Sequence, residues 1–331
     1  MAHIYIYSPS GAVRDKAGFK RGVMRLKELG HEVEIDPAAL KSAQRFAGDD
    51  AERLRAIERT AASGADVALM TRGGYGLSRS LPQINYKAIS KSIDKGMLWL
   101  GYSDFTALQA ALYVKTGAVT WAGPALCEDF GRGLDADEHS FTPQAATDDI
   151  MEACFDDLVQ GVCEGSGWMR PAADFKLAPK SIAARADSMP AKRHFSSKNS
   201  KETGILWGGN LAMLSSLIGT PYLPPIKKGI LWFEDVAEHP YKVERMLLQW
   251  QQAGILVQQK AIIFGQFSNY KLTPHDKGFK LQTVIERLRT QLKIPVLTGL
   301  PFGHVPTKVC LPFGQRVSLM TEGRDALLYW G

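Results

Sequence analysis

The chain has 331 residues, 45% of them apolar, and carries 40 Lys and Arg against 34 Asp and Glu, a formal net charge of +6. That length and apolar content support at least one full core and predict two domains. No apolar run approaches the ~18 residues of a membrane-spanning helix, and the charge excess suits an acidic ligand while falling short of a nucleic-acid signature. Cys127, Cys154, Cys163 and Cys310 show no C-x-x-C pairing and are too sparse for a disulfide framework, which points to a reducing compartment. The opening MAHIYIYSPSGAV has no basic stretch followed by an apolar one, so a soluble, cytoplasmic protein is expected.

From Ile4 to about Gly123 short apolar runs alternate with helical segments. HIYIYSP reads as strand, KAGFKRGVMRLKELG as helix and HEVEID as strand; ERLRAIERTAASG, ADVALMT, LPQINYKAISKSID, GMLWLGY, FTALQAALYVKTG and AVTWAGP continue the alternation. This order predicts an N-terminal α/β domain over 1–165 with a doubly wound, mostly parallel sheet covered on both faces. Ligands of such sheets bind beyond the carboxyl ends of the strands, where the loops SPSGA, TRGGYGLSRS and GYSDFT fall. Over 166–203 regularity fails, and a stretch rich in Pro, Ser, Lys and Arg reads as a linker or exposed loop. A C-terminal α/β domain rich in β-structure is predicted over 204–331, from GILWGGNLAMLSSLIG, KGILWFEDVAEHPYKVERMLLQWQQAGIL, KAIIFGQF, a helix over about Lys280 to Leu292, IPVLTGLPFGH and a final pair of strands.

Ser103, in LWLGYSDFTALQAAL, stands where a strand turns into a helix. A sharp turn of that kind exposes a hydroxyl at the sheet edge beside the unpaired N–H groups of the helix start, which makes a nucleophile and half an oxyanion hole together. The pattern departs from G-x-S-x-G, because Phe105 replaces the second glycine, and helix capping by Ser103 or Asp104 is the commoner role at such corners. A serine nucleophile needs a base, and of the seven histidines His304 stands apart, just after an apolar strand in the Gly/Pro-rich turn TGLPFGHVP. The carboxylate that would hold its tautomer is left open by spacing among Glu234, Asp235 and Glu238. RGGYG lets backbone N–H groups approach a ligand closely, but it is neither of the glycine-rich phosphate patterns, and an oxyanion hole or peptide-binding turn is its better use. There is no H-E-x-x-H and no Cys/His cluster, so neither a metal nor another cofactor is expected.

TRGGYG, GYSDFTAL, GGNLAMLSSLIGTP, FEDVAEHPYKVERMLLQ and TGLPFGH occur in an order and spacing that resemble the LD-carboxypeptidases of the S66 serine peptidase family, over most of the chain. The resemblance implies a cytoplasmic hydrolase that removes the terminal D-Ala of murein tetrapeptides or muropeptides in cell-wall recycling. Its nucleophile falls on Ser103, its glutamate on Glu234, its histidine on His304 and its oxyanion N–H donors on Gly74 and Asp104. A homodimer is also implied. Arg72, with its neighbours Gly73 and Tyr75, forms a candidate substrate-binding set, although a salt bridge is an equal use for Arg72. Many members have His-Gly-Pro where this chain has Ala122-Gly123-Pro124, and a histidine near Gln109, so local substrate contacts are expected to differ. The basic tract from about Lys176 to Lys201 is longer than the family's usual segment.

Three rival functions remain. A microcin-immunity-like peptidase would cleave peptide-nucleotide conjugates, a non-catalytic peptide-binding module would not need Ser, Glu and His together, and a nucleic-acid binder would rest on the 176–201 tract and show salt-dependent binding. Neither nucleic acid nor membrane is expected as a partner.

Overall fold

The computed structural model describes residues 1–133, 147–175 and 199–331. By contacts the chain divides into two compact units, one of 1–163 with 219–224 and 306–314, the other of 164–218, 225–305 and 315–331. Two short segments of the later chain therefore lie in the first unit, which a division cut at 165 and 204 separates from it. Of the expected linker, Gly165–Met169 and the residues from Asn199 onward are strand, and 176–198, with most of the basic tract, lie outside the described residues.

The first unit is built on β1 (His3–Tyr7), β2 (Glu32–Ile35), β3 (Val67–Met70), β4 (Leu98–Gly101), β5 (Thr120–Ala122) and β11 (Leu311–Phe313). Their order is β11-β5-β4-β3-β1-β2, parallel throughout except for β11, which runs antiparallel on β5. This is the doubly wound arrangement expected, with β1 and β3 side by side at the switch point where chain direction across the sheet reverses. Both faces are covered, so β3 is buried at every position and β1 at nearly all. Local chemistry sets the helix starts: Asp15, Asp49 and Asn85 accept from the N–H three residues on, opening Lys16–Glu28, Asp50–Ala62 and Tyr86–Ile93. The Asn85 cap also divides the stretch read as one helix, leaving a separate short turn at Leu81–Gln83. Phe105–Thr116 ends at Gly117 with φ 74°.

The final pair of strands expected from the sequence is present as the antiparallel hairpin Arg316–Glu322 and Asp325–Tyr329, and it is preceded by β11, which the sequence did not indicate and which joins the first unit's sheet. Pro312 lacks an N–H, which an edge position tolerates, while Leu311 and Phe313 are buried.

In the second unit β6 (Gly165–Met169), β7 (Asn199–Asn210), β8 (Ile230–Val236), β9 (Ala261–Ser268), β10 (Val296–Thr298), β12 (Arg316–Glu322) and β13 (Asp325–Tyr329) form one mixed sheet, ordered β10-β9-β8-β7-β12-β13-β6. The half from β10 to β7 is parallel and the rest antiparallel. Trp250 of the helix Pro240–Gln252 packs against Phe233 and Trp207 at centroid distances of 5.1 and 5.8 Å, and its indole N–H reaches Ser215 Oγ at 2.9 Å. Among the described residues no helix is long and apolar enough to cross a membrane.

Candidate active site

In the first unit the chemistry gathers at the carboxyl ends of β1, β3 and β4. Ser103 follows β4 with φ 64°, in the left-handed region that non-glycine residues rarely occupy. Capping does not explain it. Asp104 holds the cap position of Phe105–Thr116 without a side-chain cap bond; its Oδ2 accepts from Ser10 Oγ at 2.7 Å and from Leu77 N at 3.0 Å. Asp104 thus ties together the loops after β1, β3 and β4. Its carboxyl is wholly buried, and burial pushes its pKa up, against the Leu77 and Ser10 hydrogen bonds and the charges of Arg53 and Arg45.

Glycine is required beside the serine. A Cβ on Gly73 would lie 2.7 Å from both Cβ and Oγ of Ser103, and Gly74 takes φ 113°. Gly11 N donates to Gly73 O at 3.1 Å, holding the loop after β3 against the loop after β1. The N–H groups of Gly74 and Asp104 donate to no protein acceptor among the described residues. Arg72 lies against Gly11 and Gly74 and donates from Nε to Glu128 Oε1 at 3.0 Å. Tyr75 is 40% exposed and packs on Phe46.

In the second unit Glu234 lies on β8 where the β8–β9 register breaks between Phe233 and Asp235. Neighbouring strand residues normally face opposite sides. At this irregularity both carboxylates reach one amide: Asn210 Nδ2 donates to Glu234 Oε1 at 3.1 Å and to Asp235 Oδ1 at 3.0 Å. Glu234 is fully buried, and its Oε2 meets His304 Nδ1 at 2.7 Å. With Glu234 ionised the carboxylate only accepts, which places the hydrogen on Nδ1 and the imidazole lone pair on Nε2. His304 is held in turn by Ser268 Oγ, which donates to its carbonyl at 3.2 Å. Gly303 precedes it with φ 145°, where a Cβ would lie 2.7 Å from Gln266 O.

The three acids left open by spacing separate here. Asp235 accepts from Ala212 N and Val236 N, both at 2.9 Å, and its pKa is pushed up to about 7 by burial and then by the charge of Glu234. Glu238 faces Lys242 at 3.6 Å. Glu234 is the one of the three bonded to His304. Sequence reasoning missed Ser10 and Asn210. The signal for Asn210 was its place after Gly208-Gly209 at a helix start, where its Oδ1 accepts from Met213 N at 3.0 Å. Of the other histidines, His3 pairs with Glu34 and His239 with Asp276, while His139 and His194 lie outside the described residues. Gln109, buried, donates to Thr120 Oγ1 at 3.3 Å. Among the described residues no group of three or more His, Cys, Asp or Glu side chains could hold a metal ion.

Comparison with known proteins covers both units. Residues 4–123 match the family model described as the LD-carboxypeptidase N-terminal domain, and residues 203–319 the one described as the LD-carboxypeptidase C-terminal domain. The crystal structure of a muramoyltetrapeptide carboxypeptidase from Oxalobacter formigenes matches with 36% identity and a TM-score of 0.79, over 98% of this chain and 97% of that one. A probable murein peptide carboxypeptidase of Bacillus subtilis (strain 168) is 29% identical over 92% of this chain and 85% of its own length. The microcin C7 self-immunity protein MccF of Escherichia coli is 25% identical over 96% of this chain and 90% of its own.

Proposed function

The chain belongs to the LD-carboxypeptidase family of S66 peptidases, and from that premise we propose that it is a serine carboxypeptidase cleaving the L,D-peptide bond before the terminal D-Ala of murein tetrapeptides. The observation that carries the proposal is the buried Glu234 carboxylate bonded to His304 Nδ1. That pair is an oriented general base, and a binding module has no use for one.

In the proposed reaction Ser103 Oγ attacks the scissile carbonyl carbon as Nε2 of His304 takes its proton. The N–H groups of Gly74 and Asp104 donate to the oxygen that becomes negative. Supporting this are the left-handed placement of Ser103, the close approach of Gly73, and two N–H donors that no protein group among the described residues uses. Glu234 stabilises the imidazolium, which then protonates the departing amine of D-Ala. Water hydrolyses the acyl-serine ester by the same route, returning the proton to Ser103. Gly73 and Tyr75 would flank the substrate, and Arg72, one side of which is occupied by Glu128, would offer its remaining donors to it. The net charge of +6 suits a substrate bearing several carboxylates. By the same resemblance the enzyme acts in the cytoplasm, in cell-wall recycling, as a homodimer.

A second reading is favoured by the likeness to the microcin C7 self-immunity protein: hydrolysis of a peptide-nucleotide conjugate by the same groups. Incubating the purified enzyme with a murein tetrapeptide and, separately, with an aminoacyl sulfamoyl adenosine distinguishes them. Release of D-alanine from the first with the second untouched is expected. Turnover of the conjugate alone would replace the carboxypeptidase reading with the second one.

A further inference from the structure

Three arginines gather on the aromatic pair Phe46 and Tyr75, beside the glycine loop after β3. Two of them share one carboxylate. Arg53 lies 4.8 Å from the Phe46 ring centroid and donates to Asp50 Oδ1 at 2.6 Å; Arg79 lies 4.8 Å from the same centroid and pairs with Asp50 Oδ2 at 2.9 Å. Arg45 is different. It is exposed, lies 5.8 Å from the Tyr75 centroid, and has no carboxylate partner among the described residues.

The turn that carries Arg45 is well fixed. Ala43 and Phe46 exchange both backbone hydrogen bonds, at 2.9 and 3.0 Å, around Gln44 at φ 55°. Ala12 N donates to Arg45 O at 3.0 Å and Ala47 N to Ser10 O at 3.1 Å, joining the turn to the loop after β1. That loop bonds through Gly11 to Gly73, which touches Ser103. Two backbone hydrogen bonds, joined by the Gly11–Ala12 peptide, therefore link the Arg45 backbone to the glycine beside the serine. Arg45 is also near enough for its charge to act on Asp104. A guanidinium held over a ring keeps its N–H edge for a planar two-pronged acceptor, and it loses less rotamer freedom on binding than a loose one.

We propose that Arg45, set in place by Tyr75, is a specificity-determining residue that binds a carboxylate of the peptide substrate. The inference rests on the carboxypeptidase reading. The carboxylate comes either from the terminal D-Ala or from a stem residue. Arg72 fits the task less well, since Glu128 already takes its Nε.

The test compares wild type, Arg45→Met and Arg45→Lys on four matched tetrapeptides: intact, with the terminal carboxylate amidated, with the stem glutamate amidated, and with lysine in place of diaminopimelate. On the intact peptide Arg45→Met should raise KM about tenfold to a hundredfold, the loss of one charge-assisted contact, with kcat changed far less. The Met effect should disappear on the one peptide that lacks the contacted group, which identifies the source. Arg45→Lys should recover part of the loss, because a point charge cannot make the two-pronged contact. An unchanged KM on the intact peptide, or an equal loss on all four, would overturn the inference while leaving the function reading in place. Wild-type enzyme that released no alanine from the three peptides with a free terminus, and no alaninamide from the amidated one, would overturn both.

Discussion

Ser103 is held where its backbone is strained and its hydroxyl caps nothing, a combination that costs folding free energy and makes sense as a functional placement. Two substitutions separate these contributions. Ser103→Ala should leave stability within about 0.5 kcal/mol of wild type, since no cap is lost, and should lower kcat by at least about a thousandfold. Ser103→Gly should be equally inactive but more stable than Ser103→Ala by about 1 kcal/mol in urea unfolding, because glycine takes φ 64° without penalty. Equal stability of the two variants would remove the strain, and activity within tenfold of wild type in either would remove the nucleophile. For the acid, Glu234→Gln should lower kcat about a hundredfold to ten-thousandfold with a smaller effect on KM, since an amide can present the wrong group to Nδ1. An equal loss in folded Asp235→Asn would contradict the choice of Glu234. The motifs made Ser103, Glu234 and His304 legible as candidates. The place of Asn210 at a helix start was legible and is explained by its cap, but its Nδ2 contact with two carboxylates was not, because that contact depends on the irregular register of β8.

At the scale of the element, that irregularity is the feature with a measurable consequence. It puts two acids against one amide, and the Asp235 pKa moves up to about 7. The sign follows from linkage: between about pH 4, where an unfolded Asp loses its proton, and about pH 7, the folded chain keeps a proton that the unfolded chain has released. Stability should therefore fall as pH rises through this window and level off above it. The drop in Tm between pH 5 and pH 8 should be smaller in Asp235→Asn than in wild type, and identical drops would show that Asp235 titrates normally. Strands and most helices were readable from their apolar periods. The Ala43–Phe46 turn was not, because KSAQRFAGDD has neither period, and its conformation depends on hydrogen bonds to residues more than thirty positions earlier in the chain.

For the whole molecule, alternation of strand and helix was enough to give the first unit's parallel sheet, since the chain visits β1 to β5 consecutively. It was not enough to give that unit's limits. Residues 219–224 and 306–314 enter it after long excursions, and no local pattern marks such a return. His304 and β11 are separated by six residues yet belong to different units, so a segment that reads as one motif serves two bodies.

The most direct measurement is alanine release from two peptides that differ only in the configuration of the last residue, with one enzyme stock. A pocket formed for a terminal D-Ala fixes the methyl and carboxylate in one hand, and inverting that centre either moves the methyl into the carboxylate's contacts or turns the scissile carbonyl from Ser103. Misplacement by about 1 Å can cost about a hundredfold in rate. Wild-type enzyme should release D-alanine from the L,D peptide at least about a hundredfold faster than L-alanine from its all-L counterpart, and Ser103→Ala should release neither. Comparable release from both peptides by the wild type would contradict the LD-carboxypeptidase assignment, even with Ser103 shown to be essential.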